Sequence, residues 1–381
     1  MLELPEKYSN VGTTIFTVMS ALAQEYNAIN LSQGFPDFGV DAVLGNLLLE
    51  ASEQGFNQYA PMAGLLTLRQ EIAGHIFASQ NVQVNADTEI TITPGATYAI
   101  YTAFAATLKP GDEVIVFEPA YDSYIPNIEM NGAKAITITL TAPSFSIDWN
   151  QVQDRVNAKT KAIILNTPHN PTGTILEQQD WDRLAEIVRD TQIVILSDEV
   201  YEQLVYDGKK HISILRHPEL RLRSFALYSF GKAFHITGWK VGYCVASPDL
   251  TQAFRKMHQF LSFSVNTPAQ YALAKYIQFP KQQPVSEFMQ QKRDLFLSLL
   301  RDTPFTIVEP SAGSYFLLAG YEQISSLPER EFAVWLTKTY GVASIPLSAF
   351  YRDKKENKLI RFCFAKKEGT LKSAAIQLQK L

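Results

Sequence analysis

Residues 161–201 read KAIILNTPHNPTGTILEQQDWDRLAEIVRDTQIVILSDEVY, and this stretch decides the fold class. It contains two short β-branched runs, Lys161–Leu165 and Gln192–Leu196, which are typical of buried strands. Between them, Gln178–Arg189 carries apolar residues at helical spacing. Strand–helix alternation of this kind predicts a mostly parallel sheet with helices on both faces.

The same alternation continues on both sides of this stretch. Further candidate strands are Glu89–Thr93, Glu113–Phe117, Ala135–Leu140, Phe225–Ser229 and Val241–Ala246. Thr97–Leu108, which follows the first of these runs, again has helical spacing. Strands that alternate with helices in this way predict an α/β fold whose large domain contains a mostly parallel seven-stranded sheet.

The pattern changes after about Thr267. Gln270–Ile277 and Val285–Leu300 are predicted to be long helices, and strands are predicted near Ser314–Leu318 and Leu359–Ala365. This mixture predicts a smaller α+β domain. We therefore expect three parts in the chain: an N-terminal segment that joins the small domain (1–45), a large domain (46–274) and the C-terminal small domain (275–381).

Composition argues against several classes of function. The 381 residues include 34 basic and 38 acidic side chains, a net charge of -4, without a long basic run, so neither nucleic-acid binding nor attachment to an anionic membrane is expected. No apolar stretch is long enough to span a bilayer, and residues 1–12 lack the pattern of an export signal. Cys244 and Cys363 lie in apolar runs that suit buried free thiols. We expect a soluble cytoplasmic protein without a metal site.

Polar residues follow several of the predicted strands. In an open α/β sheet, ligands bind beyond the carboxyl ends of the strands, so these positions are candidates for a site. Pro94–Thr97 opens a helix with a glycine and small residues, which allows backbone N–H groups to reach an anion. Asn170 lies in a proline-rich turn and can donate to an oxygen through its amide. Asp198 follows a buried strand, where a carboxylate needs a positive partner such as a protonated pyridine nitrogen.

Lys232 follows another predicted strand, in the sequence Phe230-Gly231-Lys232. A lysine in a packed aromatic stretch must be neutralised, paired or shifted in pKa, and a lysine with a lowered pKa is the residue that forms imines with aldehydes. Ser229 adds a hydroxyl and Lys240 adds a second cation. Each feature alone has an ordinary explanation, namely a βα turn, a rigid loop, a helix N-cap or a surface lysine. Together, at one edge of one sheet, they predict a binding site.

Motifs along nearly the whole chain resemble those of fold-type I pyridoxal-phosphate enzymes, specifically the class I and II aminotransferases. The motifs are Leu31–Phe38 (LSQGFPDF), Asn57–Pro61 (NQYAP), Asn170–Gly173 (NPTG), Ser197–Tyr201 (SDEVY) and Ser229–Lys232 (SFGK). The first two, together with Ser264–Gln270 (SVNTPAQ), look closest to the kynurenine/glutamine aminotransferase branch, and within it to bacterial methionine-type enzymes.

The resemblance implies which residues bind the cofactor, pyridoxal 5′-phosphate. Lys232 would hold it as a Schiff base and later move the proton between the substrate Cα and the cofactor. Asp198 would keep the pyridine nitrogen protonated. Tyr201 and Asn170 would hydrogen-bond the phenolic oxygen. The other cofactor contacts would be Ser229, Lys240, Ala96, Thr97, the stacked ring of Tyr121, and Tyr59 lent across the interface of a homodimer.

For the substrate, the resemblance implies that Arg361 grips the α-carboxylate in a bidentate fork, with the Gly34 backbone nearby. One position departs from the commonest family pattern, because the phosphate cation is Lys240 rather than an arginine. A lysine offers a point charge without the fork. We therefore expect the phosphate to be bound with a different geometry.

The expected reaction moves the amino group of an L-amino acid to a 2-oxo acid in two alternating half-reactions. Aromatic and apolar residues crowd the expected pocket and no cation for a distal carboxylate is apparent, which favours methionine, aromatic amino acids, kynurenine or glutamine as donors. One alternative is a β-lyase acting on sulfur amino acids or cysteine S-conjugates, which shares the core residues. Another is the cofactor-sensing domain of a transcription regulator. That domain needs a winged helix ahead of the motifs, and we expect none because the motifs begin by residue 16.

Overall fold

The computed structural model describes residues 12–279 and 283–381 of the chain. In chain order, the strands are β1 (Ile29–Asn30), β2 (Ile90–Thr93), β3 (Glu113–Glu118), β4 (Lys134–Thr139), β5 (Thr160–Asn166), β6 (Val194–Asp198), β7 (Ser224–Ser229), β8 (Gly242–Ala246), β9 (Thr306–Ile307), β10 (Phe316–Gly320), β11 (Val342–Ala343), β12 (Ile345–Pro346) and β13 (Leu359–Cys363). The α-helices are α1 (Ile15–Glu25), α2 (Ala42–Glu53), α3 (Leu66–Gln80), α4 (Ala96–Thr107), α5 (Tyr124–Met130), α6 (Trp149–Arg155), α7 (Gln178–Val188), α8 (Pro218–Arg221), α9 (Phe230–Ala233), α10 (Pro248–Leu261), α11 (Thr267–Gln278), α12 (Val285–Leu300), α13 (Glu329–Tyr340) and α14 (Glu368–Leu378). Short 3-10 helices cover Ile214–Arg216, Thr237–Trp239 and Leu347–Phe350.

Residues 161–201 contain most of β5, the helix α7 and the strand β6. The two strands pair in parallel, with Ala162 opposite Val194 and Asn166 opposite Asp198. The complete large sheet has the order β2-β8-β7-β6-β5-β3-β4, and of its seven strands only β8 runs antiparallel to its neighbours. The predicted α/β fold with a mostly parallel seven-stranded sheet is therefore confirmed.

Alternating side chains of this sheet face two different helical layers. Ile163 and Ile195 belong to a buried cluster with residues of α2, α3, α6 and α7. Their neighbours Ile164 and Leu196 belong to a cluster with residues of α4, α5 and α10. Because the strands are covered on both faces, they consist of nearly continuous apolar runs, which is the usual pattern of buried parallel strands.

Strand bounds agree with the sequence-based predictions within two residues. β6 extends to Asp198, so this carboxylate belongs to the last residue of the strand rather than to the following loop. β10 begins at Phe316 and not at Ser314. The reason is the backbone of Ser314, whose φ of 62° lies in the left-handed region and interrupts an extended strand.

The C-terminal part of the chain contains a second, antiparallel sheet in the order β12-β13-β10-β9. Several of its buried side chains, among them Phe316, Leu317, Ile360 and Phe362, belong to one apolar cluster with residues of α12, α13 and α14. The N-terminal segment contacts this region, because β1 pairs in parallel with β11 and the Leu31 carbonyl accepts a hydrogen bond from Cys363 N at 2.8 Å.

The division into segments 1–45, 46–274 and 275–381 stays a prediction. Residues 1–11 of the first segment lie outside the described residues. The predicted boundary at 274/275 lies inside α11, which runs unbroken from Thr267 to Gln278 and packs against α2 and α3.

Other features of the described residues concern membranes, metals and thiols. No helix in residues 12–279 and 283–381 is both long and apolar enough to cross a membrane. Within the same residues, His, Cys, Asp and Glu side chains form no group of three or more suited to a metal ion. Cys244 and Cys363 are both buried free thiols.

Candidate active site

A cavity of about 420 Å³ lies at the carboxyl ends of the parallel strands, where the sequence predicts a site. The sequence-predicted residues that line it are Gly34, Ala96, Thr97, Tyr121, Asn170, Asp198, Tyr201, Ser229, Lys232, Lys240 and Arg361. Tyr59 does not line this cavity. Its side chain is 83% exposed, and its ring lies edge-on to that of Phe263 with 5.6 Å between the ring centroids.

Asp198 is a buried carboxylate at the end of β6. Its Oδ2 accepts a hydrogen bond from the Tyr124 hydroxyl at 2.5 Å, and its Oδ1 accepts a longer one from the Val200 amide at 3.4 Å. Neither donor carries a positive charge, so burial raises the pKa of Asp198 to about 6 despite the Tyr124 hydrogen bond. The site therefore contains a carboxylate that a cationic ligand group would stabilise.

Lys232 lies on the short helix α9, directly after β7. Its Nζ donates to the Tyr315 hydroxyl oxygen at 2.9 Å and to the Gly34 carbonyl at 3.2 Å. Burial lowers the pKa of this amine to about 8, and the positive charges of Arg361 and Lys240 act in the same direction. A lysine with this pKa has a substantial neutral fraction near pH 8, and the neutral amine is the form that acts as a nucleophile or a base.

The N-terminus of α4 and the Lys240 side chain approach each other beside the cavity. Gly95 caps the helix with φ 83°, a conformation that L side chains rarely adopt. A Cβ placed on Gly95 would lie 3.2 Å from Lys240 Nζ. Lys240 also has a left-handed backbone, with φ 53°, after the 3-10 turn. The free N–H groups of the first helical turn and this ammonium together form a site suited to a phosphate.

Arg361 lies on β13 and is 1% exposed. Its Nη1 donates to Asn170 Oδ1 at 2.7 Å and its Nη2 donates to the Ser32 carbonyl at 2.8 Å. The guanidinium carbon lies 3.8 Å from the centroid of the Phe316 ring. Its Nε is buried and has no hydrogen-bond partner among the described residues. Burial lowers the pKa of Arg361 to about 10, so a carboxylate in the cavity would stabilise its charge.

The remaining predicted residues surround Lys232 and Asp198. The Tyr201 ring centroid lies 5.6 Å from Lys232 Nζ. The Tyr121 hydroxyl lies 3.4 Å from Thr97 Oγ1. The loop with Asn170 is tied to β6 through a neighbouring residue, Asn166. That side chain accepts from Asn170 N and donates to the Asp198 carbonyl, both at 2.8 Å.

Some residues of this site were missed by the sequence analysis. Asn166 could have been found, because it also follows a predicted strand. Ser32 lies in the motif Leu31–Phe38, but its contact with Arg361 was not predicted. Tyr124 and Tyr315 carried no local signal, since their contacts with the site join distant parts of the chain. Asp122 also lines the cavity, where burial raises its pKa against the opposing charge of Arg361.

Comparisons with known proteins agree with this geometry. The family model for class I and II aminotransferases matches residues 26–378. The chain is 47% identical over 377 residues to the methionine aminotransferase of Escherichia coli (strain K12), covering 98% of this chain and 97% of that one. It is 32% identical over 414 residues to the kynurenine–oxoglutarate transaminase of Dictyostelium discoideum, covering 98% and 95%. A crystal structure identifying a methionine aminotransferase function in Escherichia coli matches with a TM-score of 0.96 at 46% identity, covering 100% of both chains.

Proposed function

Because this chain belongs to the class I and II aminotransferases, it transfers amino groups between amino acids and 2-oxo acids, and we propose that it does so with pyridoxal phosphate bound around Lys232. The observation that carries the proposal is one cavity lined by a buried carboxylate, a lysine with a lowered pKa and a buried arginine, namely Asp198, Lys232 and Arg361. The relatives named above are aminotransferases, so they lend no support to the β-lyase alternative.

The residues of the cavity fit this cofactor at each of its polar ends. Asp198 would contact the pyridine nitrogen, and a protonated nitrogen there would supply the cation that this buried carboxylate lacks. Lys240, Ser229 and the first turn of α4 would hold the phosphate. Tyr121 would stack on the ring, and Asn170 with Tyr201 would contact its phenolic oxygen. Lys232 would form the covalent attachment.

The chemistry divides between the cofactor and the chain. When bound to the substrate nitrogen, pyridoxal phosphate withdraws electrons from Cα and makes the α-proton acidic. Lys232 would accept that proton at Nζ, which the lowered pKa of about 8 favours because more of the amine is neutral. Arg361 would bind the α-carboxylate and fix the direction of the Cα–H bond, which is a contribution of positioning.

The cavity also supports a preference for donors with an uncharged side chain. Among the described residues that line it, the Lys and Arg side chains are Lys232, Lys240 and Arg361, and the proposal assigns each of them a partner. The carboxyl of Asp122 lines the same cavity and would repel a second carboxylate. We therefore propose methionine, aromatic amino acids, kynurenine or glutamine as the donors; the relatives reported above act on methionine and kynurenine by name.

A panel of amino donors with one fixed 2-oxo acid tests this function. We expect kcat/KM for methionine and glutamine to exceed that for glutamate and aspartate by about tenfold or more, because the charge of Asp122 opposes a distal carboxylate. In the variant Asp122→Asn, the ratio of kcat/KM for glutamine to kcat/KM for glutamate is expected to decrease. The kcat/KM for methionine is expected to change little. Aspartate as the best donor of the wild type would contradict the proposed specificity.

The proposal includes a homodimer. Tyr59 is exposed at the surface of its own chain, and the resemblance assigns it to the phosphate of a partner subunit. Phe260 and Phe263 are also exposed apolar side chains, at 84% and 47%, and the latter contacts the Tyr59 ring. Burial of such side chains against a second copy would stabilise the dimer through the hydrophobic effect.

A further inference from the structure

Tyr315 connects Gly34 to Lys232, two residues that line the cavity, although it does not line the cavity itself. Its side chain is fully buried, and its hydroxyl donates to the Gly34 carbonyl at 2.5 Å. Lys232 Nζ donates to the same hydroxyl oxygen at 2.9 Å and to the Gly34 carbonyl at 3.2 Å. The three groups therefore form a closed set of hydrogen bonds around the amine.

The Tyr315 ring has little freedom to move. It packs edge-on against the Tyr201 ring at 5.1 Å and against the Phe316 ring at 4.9 Å. Its backbone carbonyl accepts from Phe364 N at 3.0 Å. Gly34 lies close to the Phe316 ring, since a Cβ on Gly34 would be 2.8 Å from that ring. A hydroxyl whose ring is packed between Tyr201 and Phe316 and whose proton is accepted by Gly34 keeps one position relative to Lys232.

The direction of these hydrogen bonds determines how the amine is oriented. The Tyr315 hydroxyl has one proton, and the Gly34 carbonyl accepts it, so a lone pair of the oxygen faces Lys232. The Tyr315 hydroxyl oxygen and the Gly34 carbonyl oxygen lie on the same side of Nζ, since they are hydrogen-bonded to each other. The N–H groups of a neutral amine therefore turn to that side, and its lone pair turns away from it. Burial also raises the pKa of Tyr315 far above its ordinary value, so the hydroxyl remains protonated.

We propose that Tyr315 is a positioning residue for proton transfer, which holds the free amine of Lys232 with its lone pair directed at the substrate Cα. This inference rests on the proposed function. In the step, the Cα–H bond breaks, an N–H bond forms at Lys232 Nζ, and the electron pair stays with the substrate–cofactor system. The ammonium that results keeps its contacts with Tyr315 and Gly34, and these hydrogen bonds strengthen because the donor is now charged.

The variant Tyr315→Phe tests this role, because it removes the hydroxyl and keeps the ring. In single-turnover reactions of the holoenzyme with methionine, we expect the rate of α-proton transfer to fall about 10- to 100-fold. The primary isotope effect with α-deuterated methionine is expected to rise, because proton transfer limits the rate more strongly. The KM for methionine and the binding of a non-reactive carboxylate analogue are expected to stay within about threefold of wild type.

A matched control is Tyr321→Phe, which removes the hydroxyl of another fully buried tyrosine. Tyr321 donates to the Leu327 carbonyl at 2.8 Å, whereas the hydroxyl of Tyr315 contacts Lys232 and Gly34. This variant is expected to retain the wild-type proton-transfer rate and isotope effect. If Tyr315→Phe gave a wild-type rate and isotope effect, or if it changed only KM, the positioning role would be refuted.

A second measurement keeps the inference testable if Tyr315→Phe does not fold. Incorporation of 3-fluorotyrosine at position 315 preserves the packing and weakens the oxygen as an acceptor, so the isotope effect should rise in the same direction. An unchanged isotope effect in that protein would overturn the inference. Absence of transamination by the wild type with every donor of the panel is a different result, and it would overturn the proposed function instead.

Discussion

The buried carboxylate of Asp198 lowers the stability of the folded protein when it is ionised, and the same carboxylate is suited to bind a cationic group of a ligand. The strand β6 carries its carboxylate into the protein, and the donors that it meets there are the uncharged groups of Tyr124 and Val200. Burial raises its pKa from 3.8 to about 6, so the folded state binds a proton more tightly than the unfolded state does. Ionisation at neutral pH therefore costs stability. This cost grows as the pH rises above the unfolded pKa and is complete above the folded pKa.

The substitution Asp198→Asn separates stability from activity. We expect the Tm of the cofactor-free variant at pH 7 to equal or exceed that of the wild type, because the substitution removes the buried charge while its amide oxygen can still accept from Tyr124. The methionine half-reaction is expected to slow on the order of 10²- to 10³-fold, since the electron-withdrawing ring loses its ionic partner. Thermal unfolding and stopped-flow absorbance measure the two effects. A near-wild-type rate would contradict the role given to Asp198.

The residues of the site differ in how well the sequence predicts them. Lys232, Asp198 and Asn170 lie at or beyond the carboxyl ends of strands, and the rule that ligands bind there finds them from local pattern alone. Tyr124 and Tyr315 contact Asp198 and Lys232 across 74 and 83 residues of chain, respectively. Nothing in the sequence near either tyrosine specifies that contact, because it depends on how the elements pack.

At the scale of elements, the start of α4 determines where an anion can bind. Gly95 allows the chain to turn sharply out of β2, and Gly242 on β8 allows a close approach, since a Cβ there would lie 3.2 Å from Ala96 N. The first turn of the helix is thereby brought beside the Lys240 side chain. Helix N–H groups and one ammonium would then act on the same anionic ligand.

The substitution Lys240→Ala tests this arrangement. We expect the dissociation constant for pyridoxal phosphate to increase about 10- to 100-fold, which corresponds to the loss of a charged hydrogen bond. Equilibrium titration of the cofactor-free protein, followed by visible absorbance, measures it. Lys256→Ala is the control, because this exposed lysine on α10 does not line the cavity. Equal dissociation constants for the two variants would contradict a phosphate contact at Lys240.

The local sequence pattern predicts elements better than it predicts the boundaries between domains. The unit β5–α7–β6 was predicted from its own residues, because a buried strand and an amphipathic helix each have a distinct period. The predicted domain boundary at 274/275 lies a few residues after Thr267, where the alternation fades, and it stays a prediction; α11 runs through this position. That helix is held by its packing on α2 and α3, and such a contact between distant segments leaves no local mark in the sequence.

At the scale of the whole molecule, the proposed homodimer rests on exposed aromatic side chains. Tyr59 and Phe260 are 83% and 84% exposed in the single chain. The proposed dimer would bury them and would bring Tyr59 to the phosphate of the partner subunit. The active site would then require both copies.

The substitution Phe260→Glu tests the proposed dimer. We expect sedimentation velocity to show a dimer for the wild type and a shift to monomer for the variant, because a charge would have to be buried in the interface. The affinity for pyridoxal phosphate is expected to decrease in the monomeric variant, because Tyr59 of a partner subunit would no longer reach the phosphate. Leu222→Glu, which introduces the same charge at another exposed apolar residue, is expected to remain dimeric. A fully active wild-type monomer would refute this assembly.

The central claim is that Lys232 carries the cofactor, and borohydride reduction followed by peptide mass spectrometry tests it most directly. Reduction makes the link between a lysine and pyridoxal phosphate permanent, so the modified peptide identifies the lysine. We predict one phosphopyridoxyl group per chain, on Lys232, and none after prior treatment with methionine has released that lysine. Modification of Lys240 or of another lysine in place of Lys232, or no modification of the holoenzyme at all, would contradict the account.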